Sequence, residues 1–114
     1  MTLNKDDLNE YQKFVDEVTS DASKNTGRLV DRINYVDKKN IKTSRILTAG
    51  IGLSGEVGEF NEIIKKSLFQ GKEINQETIT HLKKELGDVM WYVAQACIAL
   101  NSDIEEIINI NITK

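Results

Sequence analysis

No proline occurs anywhere in the 114 residues. Proline breaks helix interiors and punctuates loops, so a chain without it is free to run in long helices. The apolar residues follow that lead. Leu8, Tyr11, Val15, Val18 and Ala22 recur every three or four positions and predict a helix from about Asn4 to Ala22 with one buried face. Ile46, Ala49, Leu53, Val57, Phe60, Ile64 and Leu68 predict a second, from about Ser44 to Gln70. Gly71 follows it and suits a left-handed cap. A third stripe, from Ile79 to Leu100, predicts a helix from about Asn75 to Leu100, with Asn75 as its N-cap and Asn101 as its end. Ser102 and Glu105 have capping-box spacing and start a short fourth helix, with Ile104, Ile107 and Ile108 as its apolar face. Residues 23–42 are polar and read as a connection with one short helix around Leu29–Val36. Short connections make consecutive helices antiparallel. The expected fold is all-α: one domain over residues 1–114, an antiparallel bundle of about four helices, assembling into a homo-oligomer.

Composition agrees and sets limits on function. Charged residues make up 29% and aromatics 6%, which fits amphipathic helices better than a β-sandwich. A net charge of -3 argues against a nucleic-acid binder, which carries a basic face. Cys97 is the one cysteine, so no intrachain disulfide forms, and its apolar surroundings mark it as a buried, inert thiol. The N-terminus lacks a signal-peptide core, and no apolar run approaches the ~20 residues of a membrane span. The expectation is a soluble, cytoplasmic protein without a membrane partner.

The chemistry lies in two short motifs. Glu56-Val57-Gly58-Glu59 falls on the second predicted helix and Glu85-Leu86-Gly87-Asp88 on the third. Each is a carboxylate pair at i and i+3, neighbours on one helix surface. At ~100° per residue, Glu56 and Glu85 each lie about 80° from the centre of their helix's apolar stripe, on corresponding sides. Two such helices packed antiparallel bring four carboxylates into one cleft. Four carboxylates at close range repel, and divalent cations relieve that repulsion. Hard oxygen ligands select Mg²⁺ or Mn²⁺, which bridge to phosphates and activate water. A single E-x-x-E on a helix is ordinarily a solvated face, so geometry alone leaves both readings open.

Other residues refine this. A di-iron bundle needs Glu-x-x-His pairs, but His81 is the only histidine and Thr78 stands three before it. His81 is therefore expected at the surface. Gly50, Gly52, Gly55 and Gly58 sit inside a predicted helix, each at a cost of up to ~1 kcal/mol. Gly52 and Gly55 share the side of Glu56 and Glu59, where missing side chains leave room either for phosphates and metals or for close helix packing. Asn111 and Lys114 are spaced i and i+3 near the end, with Asn111 expected on the core side among Ile104, Ile107 and Ile108. A buried amide needs partners, and a metal–phosphate group supplies them, with Lys114 neutralising phosphate charge.

Together these residues resemble the MazG-like family of all-α nucleotide pyrophosphohydrolases. GLSGEVGEFNEIIKK is similar to the family's first metal motif, KKELGDVMWYVA to its second, and NITK to its Asn-x-x-Lys. The resemblance covers about Leu8 to Lys114. It implies Mg²⁺-dependent hydrolysis of a nucleoside triphosphate to the monophosphate and pyrophosphate, in a homodimer or a dimer of dimers. It implies Glu56, Glu59, Glu85 and Asp88 as metal ligands, Glu56 and Glu59 as the catalytic pair with Glu56 activating water, and Asn111 and Lys114 on the triphosphate. Tyr92, four residues after Asp88, shares the site face and is a further substrate contact. Arg28 and Tyr35 are candidates to line a nucleoside pocket, and Trp91 points to a second surface suited to core or dimer packing. Two departures stand out. Gly55 occupies a position where many members carry a second glutamate, and many continue past the lysine to an arginine. The competing function class is a non-catalytic helical dimer or adaptor, which would disperse the carboxylates on solvated faces. A degenerate, nucleotide-binding member is a third reading.

Overall fold

The computed structural model describes residues 2–114, and within them every regular element is a helix. There are six helices rather than about four: α1 (Lys5–Val18), α2 (Asp21–Lys24), α3 (Thr26–Asp37), α4 (Thr43–Phe69), α5 (Gln76–Ala99) and α6 (Ile104–Thr113). They fall into two compact units, Met1–Val36 and Asp37–Lys114.

The N-terminal unit holds the extra helices. Asn4 caps α1, its side chain accepting from the Asp7 N–H at 2.9 Å, and Asp6 and Asp7 favour the positive end of the helix dipole. The first helix stops at Val18, four residues short of the expected Ala22. Thr19 turns into extended backbone and its hydroxyl donates to the Val15 carbonyl. Small polar side chains offer the backbone such local alternatives to a helix. Asn25 then accepts from the Arg28 N–H at 3.0 Å and starts α3. The connection at 23–42 is thus mostly helical. The apolar stripe of α1 is not buried: Leu8, Tyr11, Val15 and Val18 are all exposed. Periodicity identifies a face suited to burial but not what covers it.

The C-terminal unit is built on the α4–α5 hairpin, with α6 packed on α5. Both ends of the hairpin are fixed. At the turn, Gly71 takes φ +70° and the Lys72 N–H returns to the Lys66 carbonyl at 3.0 Å, the left-handed exit expected there. Asn75 and Thr78 form a reciprocal capping box at the start of α5. At the open end, the Asp37 carboxylate accepts from the Thr43 N–H at 2.9 Å, and the Lys42 N–H donates to the Ala99 carbonyl at 3.0 Å. Asn40 and Asn101 both adopt left-handed backbone, and Asn101 Nδ2 donates to the Asn40 carbonyl at 2.9 Å. Arg45 donates to Gln95 at 2.7 Å just inside that end.

The buried core of this unit is made of small residues: Ala49, Cys97 and Ala99. Small side chains let the helix backbones approach closely. Cys97 is buried, as its neighbours imply. The fourth predicted helix is α6, but its cap is Asp103 rather than Ser102. The Asp103 carboxylate accepts from the Glu106 N–H at 2.8 Å, while the Ser102 N–H is taken by the Cys97 carbonyl. Ser102 thereby closes α5 and is unavailable to open α6. Among the described residues no helix is long and apolar enough to cross a membrane.

Candidate metal centre and the cleft beside it

The antiparallel hairpin sets the flank of α4 that carries Glu56 and Glu59 against the flank of α5 that carries Glu85. Carboxylate oxygens of these three residues all lie within 4.8 Å of one another. Their exposure is graded. Glu85 is buried, at 8% exposure, Glu56 is half-buried and Glu59 is open to solvent. Oε2 of Glu56 and Oε2 of Glu85 are both shielded from water and neither has a hydrogen-bond partner. Buried polar atoms are normally partnered, and two orphaned acceptors in one acidic cluster are what a bound cation would satisfy.

The electrostatics agree. The Glu56 carboxyl is raised from 4.5 to about 7. The largest cause is the neighbouring Glu85 carboxylate, which accepts a hydrogen bond from Glu56 once Glu56 is protonated. Partial burial adds to it, followed by the charges of Glu59, Asp88 and Glu85. Asp88 is exposed and stands outside the tight group of three, but its charge is felt at Glu56. Without a cation the cluster therefore retains a proton near neutrality. A donor set made only of carboxylate oxygens fits a hard divalent ion such as Mg²⁺ or Mn²⁺.

His81 lies at the surface as expected, with its side chain 58% exposed, but it is not isolated. Its Nε2 stands 3.2 Å from Oε1 of Glu85. The pair does not fit a Glu-x-x-His pattern, because its spacing is four and the histidine comes first. Tyr92 is half-buried, with its ring directly over Gly52 of α4; a methyl group at residue 52 would overlap that ring. Trp91 packs edge-on against Tyr92, ring centroids 5.1 Å apart, and is exposed.

A cleft of about 680 Å³ runs from the carboxylates toward the hairpin turn, with Glu59 and Glu85 in its wall beside Lys66, Ser67, Lys72 and Lys84. Asn111 and Lys114 do not line it. Both are exposed, Asn111 on α6 and Lys114 just beyond it. The core-side placement expected for Asn111 does not hold within the single chain, because α6 buries none of its residues. Arg28 and Tyr35 lie on α3, in the N-terminal unit.

The all-α hairpin thus gathers acidic residues from an E-x-x-E and an E-x-x-D motif into one group able to hold a divalent cation. The match to known proteins is more specific. Residues 45–114 match the MazG nucleotide pyrophosphohydrolase domain, and the chain belongs to that family. A relative from Mycobacterium phage L5, named Gene 37 protein, is 42% identical over 66 residues. That stretch covers 56% of this chain and 57% of the relative, so the chain spans little more than half of the relative's length. No solved structure matches the chain.

Proposed function

We propose that this chain hydrolyses a ribo- or deoxyribonucleoside triphosphate to the monophosphate and pyrophosphate in the cytoplasm, with Mg²⁺ or Mn²⁺ held by Glu56, Glu59, Glu85 and Asp88. The observation that carries this reading is the convergence of three carboxylates within 4.8 Å, two with buried and unpartnered oxygens, in a member of the pyrophosphohydrolase family. A cation held by these four residues would supply charge neutralisation for the phosphates and would acidify water. The chain's residues do the rest. Glu85, buried and steadied by His81, anchors the cluster. Glu59 and Asp88 complete it from the exposed side. Glu56, at the centre of the mutual repulsion, orients the attacking water and takes its proton. The anhydride bond between the α- and β-phosphates breaks, and the pyrophosphate leaves with the bond's electron pair. Tyr92 borders the site at the Gly52 end and offers its ring to the nucleoside.

Asn111 and Lys114 contact the triphosphate in this reading. They are exposed in the single chain, which suits residues that complete a site only on assembly. A homodimer or dimer of dimers is part of the proposal. Its support is the exposed apolar surface, which includes Tyr11, Ile51, Trp91 and Ile112, together with the lack of any fully buried large side chain among the described residues. Light scattering tests it, and a monomer at micromolar concentration counts against it.

A panel of ribo- and deoxyribonucleoside triphosphates with Mg²⁺, separating pyrophosphate from phosphate release, tests the activity. Pyrophosphate release that vanishes on chelation is expected. No metal-dependent release from any nucleotide would overturn the proposal.

A further inference from the structure

The cleft beside the carboxylates has a chemistry of its own. Lys66 of α4, Lys72 of the hairpin turn and Lys84 of α5 all line it. Among the described residues none of the three forms an ion pair, whereas Lys65 next door is paired with Glu62 at 3.1 Å. Lys66 lies seven residues, two helical turns, beyond Glu59 on the same face of α4, about 10 Å along the axis. Lys84 directly precedes Glu85. The Lys72 N–H bonds to the Lys66 carbonyl, so the turn folds back beside Lys66. Ser67 also lines the cleft, with a buried hydroxyl that has no partner.

Five glutamates border the same space: Glu59, Glu62, Glu73, Glu77 and Glu85. Three of them are engaged once a divalent cation is held: Glu59 and Glu85 belong to the acidic cluster that it would neutralise, and Glu62 has Lys65. Glu73 and Glu77 remain against three unpaired ammonium groups. The first turn of α5 also borders the cleft, so the positive end of a 24-residue helix adds to the balance. Ammonium groups only donate hydrogen bonds, so the ligand they suit is an acceptor-rich anion.

Resting on the pyrophosphohydrolase reading, we propose that this cleft is the seat of the substrate's polyphosphate tail and of the departing pyrophosphate, held by Lys66, Lys72 and Lys84. The order of residues along the hairpin gives the site a direction. On α4, Gly52, Glu56, Glu59, Ile63 and Lys66 follow one another at helical spacing on one face, and on α5 Tyr92, Asp88, Glu85 and His81 run alongside in reverse. One end is aromatic, the middle is acidic and the other end is basic. A nucleotide lying along this strip has its sugar and base at Tyr92, its reacting anhydride at the carboxylates and its terminal phosphates among the lysines.

The test is calorimetric binding in Mg²⁺ of three probes: inorganic pyrophosphate, a non-hydrolysable nucleoside triphosphate analogue and a nucleoside monophosphate. The variants are Lys66→Ala/Lys84→Ala and the charge-conserving Lys66→Arg/Lys84→Arg. The alanine pair should weaken pyrophosphate and the triphosphate analogue by about tenfold or more, since hydrogen bonds to charged groups are the stronger kind. It should leave the monophosphate and Mg²⁺ itself within about twofold, and the arginine pair should recover most of the loss. Unchanged pyrophosphate affinity in the alanine pair, an equal loss for the monophosphate, or a wild-type chain that does not bind Mg²⁺-pyrophosphate would each overturn the subsite. A wild-type chain that binds pyrophosphate through these lysines but cleaves no nucleotide would leave the subsite standing and sink the catalytic reading alone.

Discussion

His81 Nε2 stands 3.2 Å from Glu85 Oε1, one helical turn away on α5, while Oε2 of the same carboxylate is buried and unpartnered. The imidazole thus occupies one oxygen and leaves the other for the cluster. Holding a ligand carboxylate in one orientation is how neighbours of a metal site raise its affinity. His81→Ala should lower Mg²⁺ or Mn²⁺ affinity by about 10- to 100-fold and leave the melting temperature of the metal-free chain nearly unchanged, because His81 is exposed. His81→Gln, which keeps a donor, should recover part of the loss. Metal titration by calorimetry reads both, and an unaltered affinity in His81→Ala would show that Glu85 needs no such support.

The proton on Glu56 should make metal binding depend on pH. Folding raises this carboxyl from 4.5 to about 7, so between those values the folded chain binds more protons than the unfolded one. The stability of the metal-free chain should therefore fall as pH rises from 4.5 to 7 and level off above. A divalent ion displaces the proton, so its apparent affinity should rise with pH and flatten above about 7. Melting curves across that range, with and without Mg²⁺, should converge toward low pH. Metal-free stability that climbs with pH through this window would show that Glu56 is not the protonated group.

Glu59→Gln removes a charge that helps to raise Glu56. The metal-free variant should be as stable as the wild type or slightly more so, whereas metal affinity drops and turnover falls by about 100-fold or more. Lys114→Ala should mainly raise KM, because phosphate charge is present before and during the reaction. Pyrophosphate-release kinetics separate the two, and unchanged turnover in Glu59→Gln would remove it from the catalytic pair.

Two glycines of α4 should respond to the same substitution with opposite signs. Nothing lies within 4 Å of a Cβ added at Gly50, so Gly50→Ala should stabilise the helix by about 0.5–1 kcal/mol. A Cβ at Gly52 overlaps the Tyr92 ring, and the displacement should cost about 1–3 kcal/mol, outweighing the helix gain. Gly52→Ala should also weaken nucleotide more than pyrophosphate if Tyr92 faces the nucleoside. Equal thermal shifts in the two variants would mean that the ring moves aside freely.

The parts of this site legible in the sequence are those governed by helical period. Glu56, Glu59 and Glu85 come together because i, i+3 pairs on the flanks of two apolar stripes meet when the helices pair, and the stripes themselves were readable. The missed features depend on competition between neighbours. Thr19 and Asn25 divert the backbone without any glycine or proline to announce it, so α1 and α2 read as one helix. Ser102 and Asp103 are both good caps, and only the Schellman closure at Asn101, which takes the Ser102 N–H, decides for Asp103. Asn111 looked inward because its stripe is apolar, but α6 packs only lightly on α5. The lysine-lined cleft depends on where the hairpin turn folds back, which no periodicity encodes.

The bond between the Lys42 N–H and the Ala99 carbonyl has a consequence for the carboxylates far from it. Glu56 lies 14 residues after Lys42, and Glu85 lies 14 residues before Ala99. At about 1.5 Å per residue these are two arms of equal reach, about 21 Å each, hinged at one point like callipers. Their tips meet because their lengths match. One residue inserted in either arm would advance one tip by about 1.5 Å and swing it about 100° round its helix, parting the carboxylates while leaving both helices intact. The 25 residues between Glu59 and Glu85 lie beyond the tips. Whole turns added to or taken from that stretch would leave the acids in place, so the near arms alone set their convergence, while the far loop answers to the lysine-lined cleft.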